Sequence, residues 1–74
     1  MKLSELKPSE SGVIKKVNCE RSLKNRLSHL GVIEGAKIKF IKVSPFSDPI
    51  EIMVRGFYLA IRLETAEQID VEKI

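Results

Sequence analysis

Residues 30–40 read LGVIEGAKIKF, with Gly31 and Gly35 leading into an alternation of apolar residues and lysines. The segment just before them holds the chain's only cysteine, Cys19, and its only histidine, His29. Two readings compete: a ligand site built around the thiol and the imidazole, or a backbone that leaves a helix, turns a corner and enters a sheet. The spacing on either side favours the corner. Leu23, Leu27 and Leu30 recur at intervals of four and three with Arg21, Lys24, Asn25, Ser28 and His29 on other faces, the pattern of an amphipathic helix of about three turns. Asn18 can cap its start and Gly31 can take the left-handed conformation that ends it. Glu34 and Gly35 then suit the centre of a turn.

Working outward from the corner, Ala36, Ile38 and Phe40 share one face of a strand, whereas Ile41 and Val43 continue the apolar set on the other. A β-bulge or a sharp bend near Phe40 and Ile41 reconciles the two, since strands that curl around a small barrel must change which face points inward. Residues 44–49, SPFSDP, form a loop. Ile50, Ile52 and Val54 alternate as one strand, Arg55 and Gly56 turn it, and Phe57, Leu59, Ile61 and Leu63 alternate as the next. Thr65 to Gln68 has the form of a capping box for a single helical turn, after which Ile69 and Val71 make a closing strand. Upstream, Gly12 opens a first strand through Val13, Ile14 and Val17, and Leu3 with Leu6 ahead of Pro8 suits one short helical turn. The sum is a mainly β fold of about five strands with one α-helix inserted after the first, most economically a small, strongly bent barrel that leaves few open edges.

The totals agree with one domain spanning residues 1–74. A chain of 74 residues lies near the lower limit at which a single core holds without staples or metal, and 43% hydrophobic with 31% charged residues is an ordinary globular balance. One cysteine cannot form an internal bridge, which suits a reducing cytosol. The opening residues, MKLSELKPSE, are broken by Ser4, Glu5 and Lys7 and offer no continuous apolar run for a signal peptide or a membrane span, so a soluble protein is expected. Thirteen Lys and Arg against ten Asp and Glu leave a net charge of +3, a mild basic bias.

In their order, these segments resemble the FeoA-type ferrous iron transport accessory proteins, a domain that also occurs at the end of DtxR-like metal-dependent repressors. The likeness covers nearly the whole chain. It rests on the early Leu-x-x-Leu and Pro8, on Gly12, on RLSHLGVIEG at residues 26–35, and on PIEIMVRGFYLAIRLETAEQIDVE at residues 49–72. Two positions depart from the family's pattern: Ser9 stands where glycine usually follows the proline, and Glu34 where proline usually precedes the glycine of the turn. The resemblance implies an SH3-like β-barrel. It also implies a cytoplasmic partner of the FeoB ferrous iron transporter, a membrane GTPase, acting on its cytosolic GTP-binding part and so sitting at the inner face of the membrane.

Chemistry is poorly supplied. Cys19 and His29 fall at opposite ends of the helix, about 15 Å apart at the usual rise, and cannot share one ion there. Neither a metal nor a cofactor is expected. His29 has no nucleophile or orienting group at recognisable spacing, and no Gly-rich segment carries Lys-Ser or Lys-Thr, so neither an enzyme nor a nucleotide-binding protein is expected. Lys15, Lys16, Arg21, Lys24, Lys37 and Lys39 could form a basic stripe, but outward lysines also protect strand edges and aromatic residues for stacking are few, so nucleic acid is not the expected partner. The alternative to a transporter partner is a freestanding module engaging another protein or nucleic acid. What remains is a protein-binding surface, for which Lys24 and Arg26 on the helix, Phe46 in the loop, and Met53 and Tyr58 on the strands are the candidates.

Overall fold

The computed structural model describes residues 1–74. In chain order it has a turn of 3-10 helix at Leu3–Glu5, strand β1 at Ser11–Val17, helix α1 at Arg21–His29, β2 at Lys37–Val43, β3 at Ile50–Val54, β4 at Phe57–Ile61, a short helix α2 at Leu63–Ala66, and β5 at Ile69–Lys73. The strands make one antiparallel sheet in the order β4-β3-β2-β1-β5. Two irregularities bend it. One lies between Phe40 and Lys42 on β2, where the apolar set changes face, and the other between Ile14 and Lys16 on β1. Beyond the first, Val43 pairs with the buried Ile50 and so stays on the inward face, though at the frayed end of the strand it is 42% exposed. The sheet closes on a wholly apolar interior in which Leu3, Ile14, Ile38, Phe40, Ile52 and Ile69 are essentially inaccessible and no polar side chain is buried.

The corner forms as its glycines require. Gly31 sits at φ +97°, its N–H donates to the Ser28 carbonyl at 3.0 Å, and the Val32 N–H reaches back to the Leu27 carbonyl at 2.9 Å. That pair of bonds is a Schellman ending, and the accompanying apolar contact is supplied by Val32 and Leu27, both buried. Gly35, at φ +89°, then occupies the third position of a turn closed by the Ala36 N–H on the Ile33 carbonyl at 3.0 Å.

Three local expectations need correction. Asn18 does not cap α1: Glu20 stands at the N-cap, and Asn18 instead donates its side-chain amide to Asp70 at 3.2 Å and its backbone N–H to the Gln68 carbonyl at 2.8 Å. The helix therefore starts later, at Arg21. The fourth strand stops at Ile61 rather than running on to Leu63, and the helical turn begins at Leu63 rather than Thr65. Its cap is remote in sequence, since Asp48 accepts the Leu63 N–H at 2.9 Å and also faces the Arg62 guanidinium at 3.4 Å. No capping box forms at Thr65.

The serine at position 9 occupies a demanding site. Residues 7–10 form a turn closed by the Glu10 N–H on the Lys7 carbonyl at 2.9 Å, with Pro8 second and Ser9 third at φ +76°. The third position of such a turn needs positive φ, which glycine takes freely and a serine does not. Ser9→Gly is expected to raise stability by about 0.5–1 kcal/mol, the relief of left-handed strain less the entropy of a freer unfolded chain, read as a higher urea midpoint.

Both ends of the chain are fastened to β5 or beside it. The Lys2 ammonium, 2.9 Å from Asp70, and then the Asn18 amide hold the Asp70 carboxyl below the usual carboxylate range. Lys73, 2.6 Å from Glu10, and then the Lys7 N–H do the same for Glu10.

Candidate interaction surface

The strand register decides which of the candidate residues meet. Cross-strand partners share a face, so Ser11, Lys39, Met53 and Tyr58 line up in one row across β1, β2, β3 and β4 on the outside of the sheet. Met53 and Tyr58 are direct neighbours in it; Met53 is half-buried and Tyr58 is 60% exposed. Lys37, two residues before Lys39, and Arg55, two after Met53, extend the row into a shallow depression of about 380 Å³ that no carboxylate lines. This patch is cationic around an apolar centre.

The other candidates lie elsewhere. Phe46 is 91% exposed in the loop joining β2 to β3, near the end of β3 opposite Met53. That loop is held by the Ser47 N–H on the Ser44 carbonyl at 2.8 Å and by the Ser44 hydroxyl on the Asp48 carbonyl at 2.8 Å. Lys24 and Arg26, two positions apart on α1, point to different flanks. Lys24 borders a recess with Asn25, Ser28 and Val32. Arg26 follows Leu23 by three and precedes Leu30 by four, which places it beside the groove between α1 and β4 that those leucines line with Leu59, Ala60 and Arg62. Nothing in the local pattern of the chain indicates this groove, because it depends on where the leucine face of α1 meets β4 in the fold.

The basic stripe does not assemble as one feature. Lys37 and Lys39 sit on β2, whereas on β1 Lys15 lies 3.9 Å from Glu72 of β5, and Lys16 stands in the strand register opposite Asp70, whose carboxylate is held by Lys2. Cys19 precedes the helix and His29 is its last residue. Partial burial pushes the Cys19 thiol up, with nearby Lys24 opposing, which keeps it protonated and a poor nucleophile at neutral pH. No three His, Cys, Asp or Glu side chains converge anywhere in the chain, and no helix is long and apolar enough to cross a membrane.

A bent antiparallel sheet in this strand order defines a small SH3-like module. A zinc complex of FeoA from Stenotrophomonas maltophilia, described as a prokaryotic SH3 domain protein, superimposes with a TM-score of 0.83 over 97% of this chain and 89% of that one, at 26% identity. The chain belongs to the FeoA domain family, whose model matches residues 1–73. FeoA from Chlorobium tepidum is 39% identical, with a TM-score of 0.96 over all of this chain and 70% of its own. A protein of Porphyromonas gingivalis described as a fusion of Fe(2+) transport protein A and the Fe(2+) transporter FeoB is 30% identical over all 74 residues. The chain spans 9% of that fusion's length. Membership links the chain to ferrous iron transport.

Proposed function

We propose that this chain is a cytoplasmic accessory protein of ferrous iron uptake that binds the cytosolic GTP-binding part of a FeoB-type transporter and regulates it by contact, without catalysis of its own. One observation carries the reading: in the Porphyromonas gingivalis relative, a domain like this one and the transporter share a single polypeptide. Lys24, Arg26, Phe46, Met53 and Tyr58 are the contact candidates, and the cationic row around Met53 and Tyr58 suits a partner surface that is acidic around an apolar centre.

Regulation by a binder requires unequal affinity for the partner's two states, because a ligand that binds both equally shifts neither. Calorimetric titration against the isolated GTP-binding part, loaded with GDP or with a non-hydrolysable GTP analogue, is expected to give dissociation constants that differ by about tenfold, the middle of the usual range for coupled sites. Equal constants would remove the regulatory role, and no binding in either state would remove the partner.

A further inference from the structure

The rest of the chain treats the two edges of the sheet differently. Along β5 the outer edge is occupied: the Val71 N–H donates to the Met1 carbonyl at 2.7 Å, the Met1 ammonium donates to the Val71 carbonyl at 3.1 Å, and Lys2 bridges to Asp70. β4 pairs with β3 alone. Its hairpin turns on two residues, Arg55 and Gly56, both at positive φ, so Val54 and Phe57 are the hydrogen-bonded pair beside the turn. Antiparallel alternation then directs the backbone groups of Phe57, Leu59 and Ile61 towards β3 and those of Tyr58 and Ala60 away from it. Neither Tyr58 nor Ala60 takes part in any backbone hydrogen bond of the turns, loops and caps.

Beside this open edge runs the α1/β4 groove, about 140 Å³ in volume, with Leu23 and Leu30 on one wall and Leu59 and Ala60 on the other. Leu30 on the helical wall is 39% exposed. Its charge is one-sided. Arg26 lies beside the helical wall and Arg55 stands at one end of β4, while Arg62, at the other end, is paired with Asp48 at 3.4 Å although its side chain is 76% exposed; no acid lines the groove itself. Glu51 stands opposite Ala60 on β3.

We infer that the β4 edge accepts one extended segment of the protein partner as an added strand, lying in the groove along α1. Its backbone pairs with Tyr58 and Ala60, its apolar side chains rest on Leu30 and Leu59, and acidic residues flanking it meet Arg26. The inference rests on the partner reading above and specifies where that partner binds.

The test is titration of the isotope-labelled chain with the soluble GTP-binding part of the FeoB-type transporter, read by amide hydrogen exchange and by dissociation constants. The Tyr58 and Ala60 amides are expected to exchange freely in the unbound chain and at least tenfold more slowly in the complex. Ala60→Pro removes a donor that the fold does not use, on an edge strand that tolerates proline, and is expected to weaken binding at least tenfold. Arg26→Glu is expected to weaken it at least fivefold, against less than twofold for the charge-matched Lys7→Glu. If the wild-type chain binds but leaves both amides unprotected, or if a folded Ala60→Pro chain binds equally well, the edge is wrong and the partner reading stands. If the wild-type chain does not bind, both fall. Should Ala60→Pro fail to fold, the wild-type exchange decides alone.

Discussion

Phe40→Ala is expected to cost about 3–5 kcal/mol, the usual range for removing a buried aromatic ring. The ring is 1% exposed on β2 at the bulge, in the middle strand of the sheet, where the surrounding strands have little room to collapse into the space it leaves. Its backbone remains tied by the Phe40 N–H on the Glu10 carbonyl and the Ser9 N–H on the Phe40 carbonyl, each 2.8 Å, so relaxation of β2 towards the cavity would break bonds elsewhere. Small domains are stable by only about 5–15 kcal/mol, so the loss is a large share of the whole. Urea unfolding followed by circular dichroism should show the midpoint falling at unchanged slope. Phe46→Ala, at 91% exposure, should stay within about 0.5 kcal/mol and serves as the contrast. A loss under about 1 kcal/mol for Phe40→Ala would mean that this ring does not fill the barrel interior.

The second large effect is expected at the corner. Gly31→Ala combines two costs: a Cβ in the left-handed region, worth about 1–2 kcal/mol, and a clash, because that atom would lie 2.6 Å from the Cδ of Arg55. The two can be separated. In an Arg55→Ala background the steric part disappears, so the same glycine substitution should cost less there, and the difference measures how tightly the arginine stem lies over the helix end. Equal costs in both backgrounds would show that the arginine swings away freely. A cost near zero would mean that position 31 does not need a positive φ.

Much of this fold was legible because its strands are half-buried and therefore alternate. The bulge at Phe40 could be read from Ile38, Phe40, Ile41 and Val43, since a regular strand alternates strictly and an apolar set that switches face within it requires an inserted residue. Gly31 and Gly35 marked the corner because positive φ is written in residue type. The misreadings share a different cause. Asn18 and Thr65 both carry side chains suited to local caps, but Asn18 is drawn to Asp70, 52 residues away, and the helical turn is capped by Asp48, 15 residues before it. Local propensity lost to hydrogen bonds that only the closed fold offers. The bulge between Ile14 and Lys16 left no mark because lysines fill the strand there.

The placement of the candidate contact residues was legible only one residue at a time. Exposure of Phe46 and Tyr58, and the outward but half-buried position of Met53, followed from alternation and loop composition, whereas the pairing of Met53 with Tyr58 depended on register. Met53 came beside Tyr58 only because β3 and β4 pair across a two-residue turn, whereas Arg26 and Lys24, two positions apart on one helix, lie on different flanks by helical geometry alone.

The bonding of Met1 to Val71 brings the beginning and the end of the domain together on one strand, away from the Tyr58 and Ala60 backbone. A longer polypeptide joined at either terminus therefore departs from β5 and leaves β4 uncovered. Strand addition through two residues is weak between separate molecules, but a covalent tether of suitable length raises the local concentration of the added strand to the millimolar range. Attachment at either end is thus compatible with the strand addition proposed at β4.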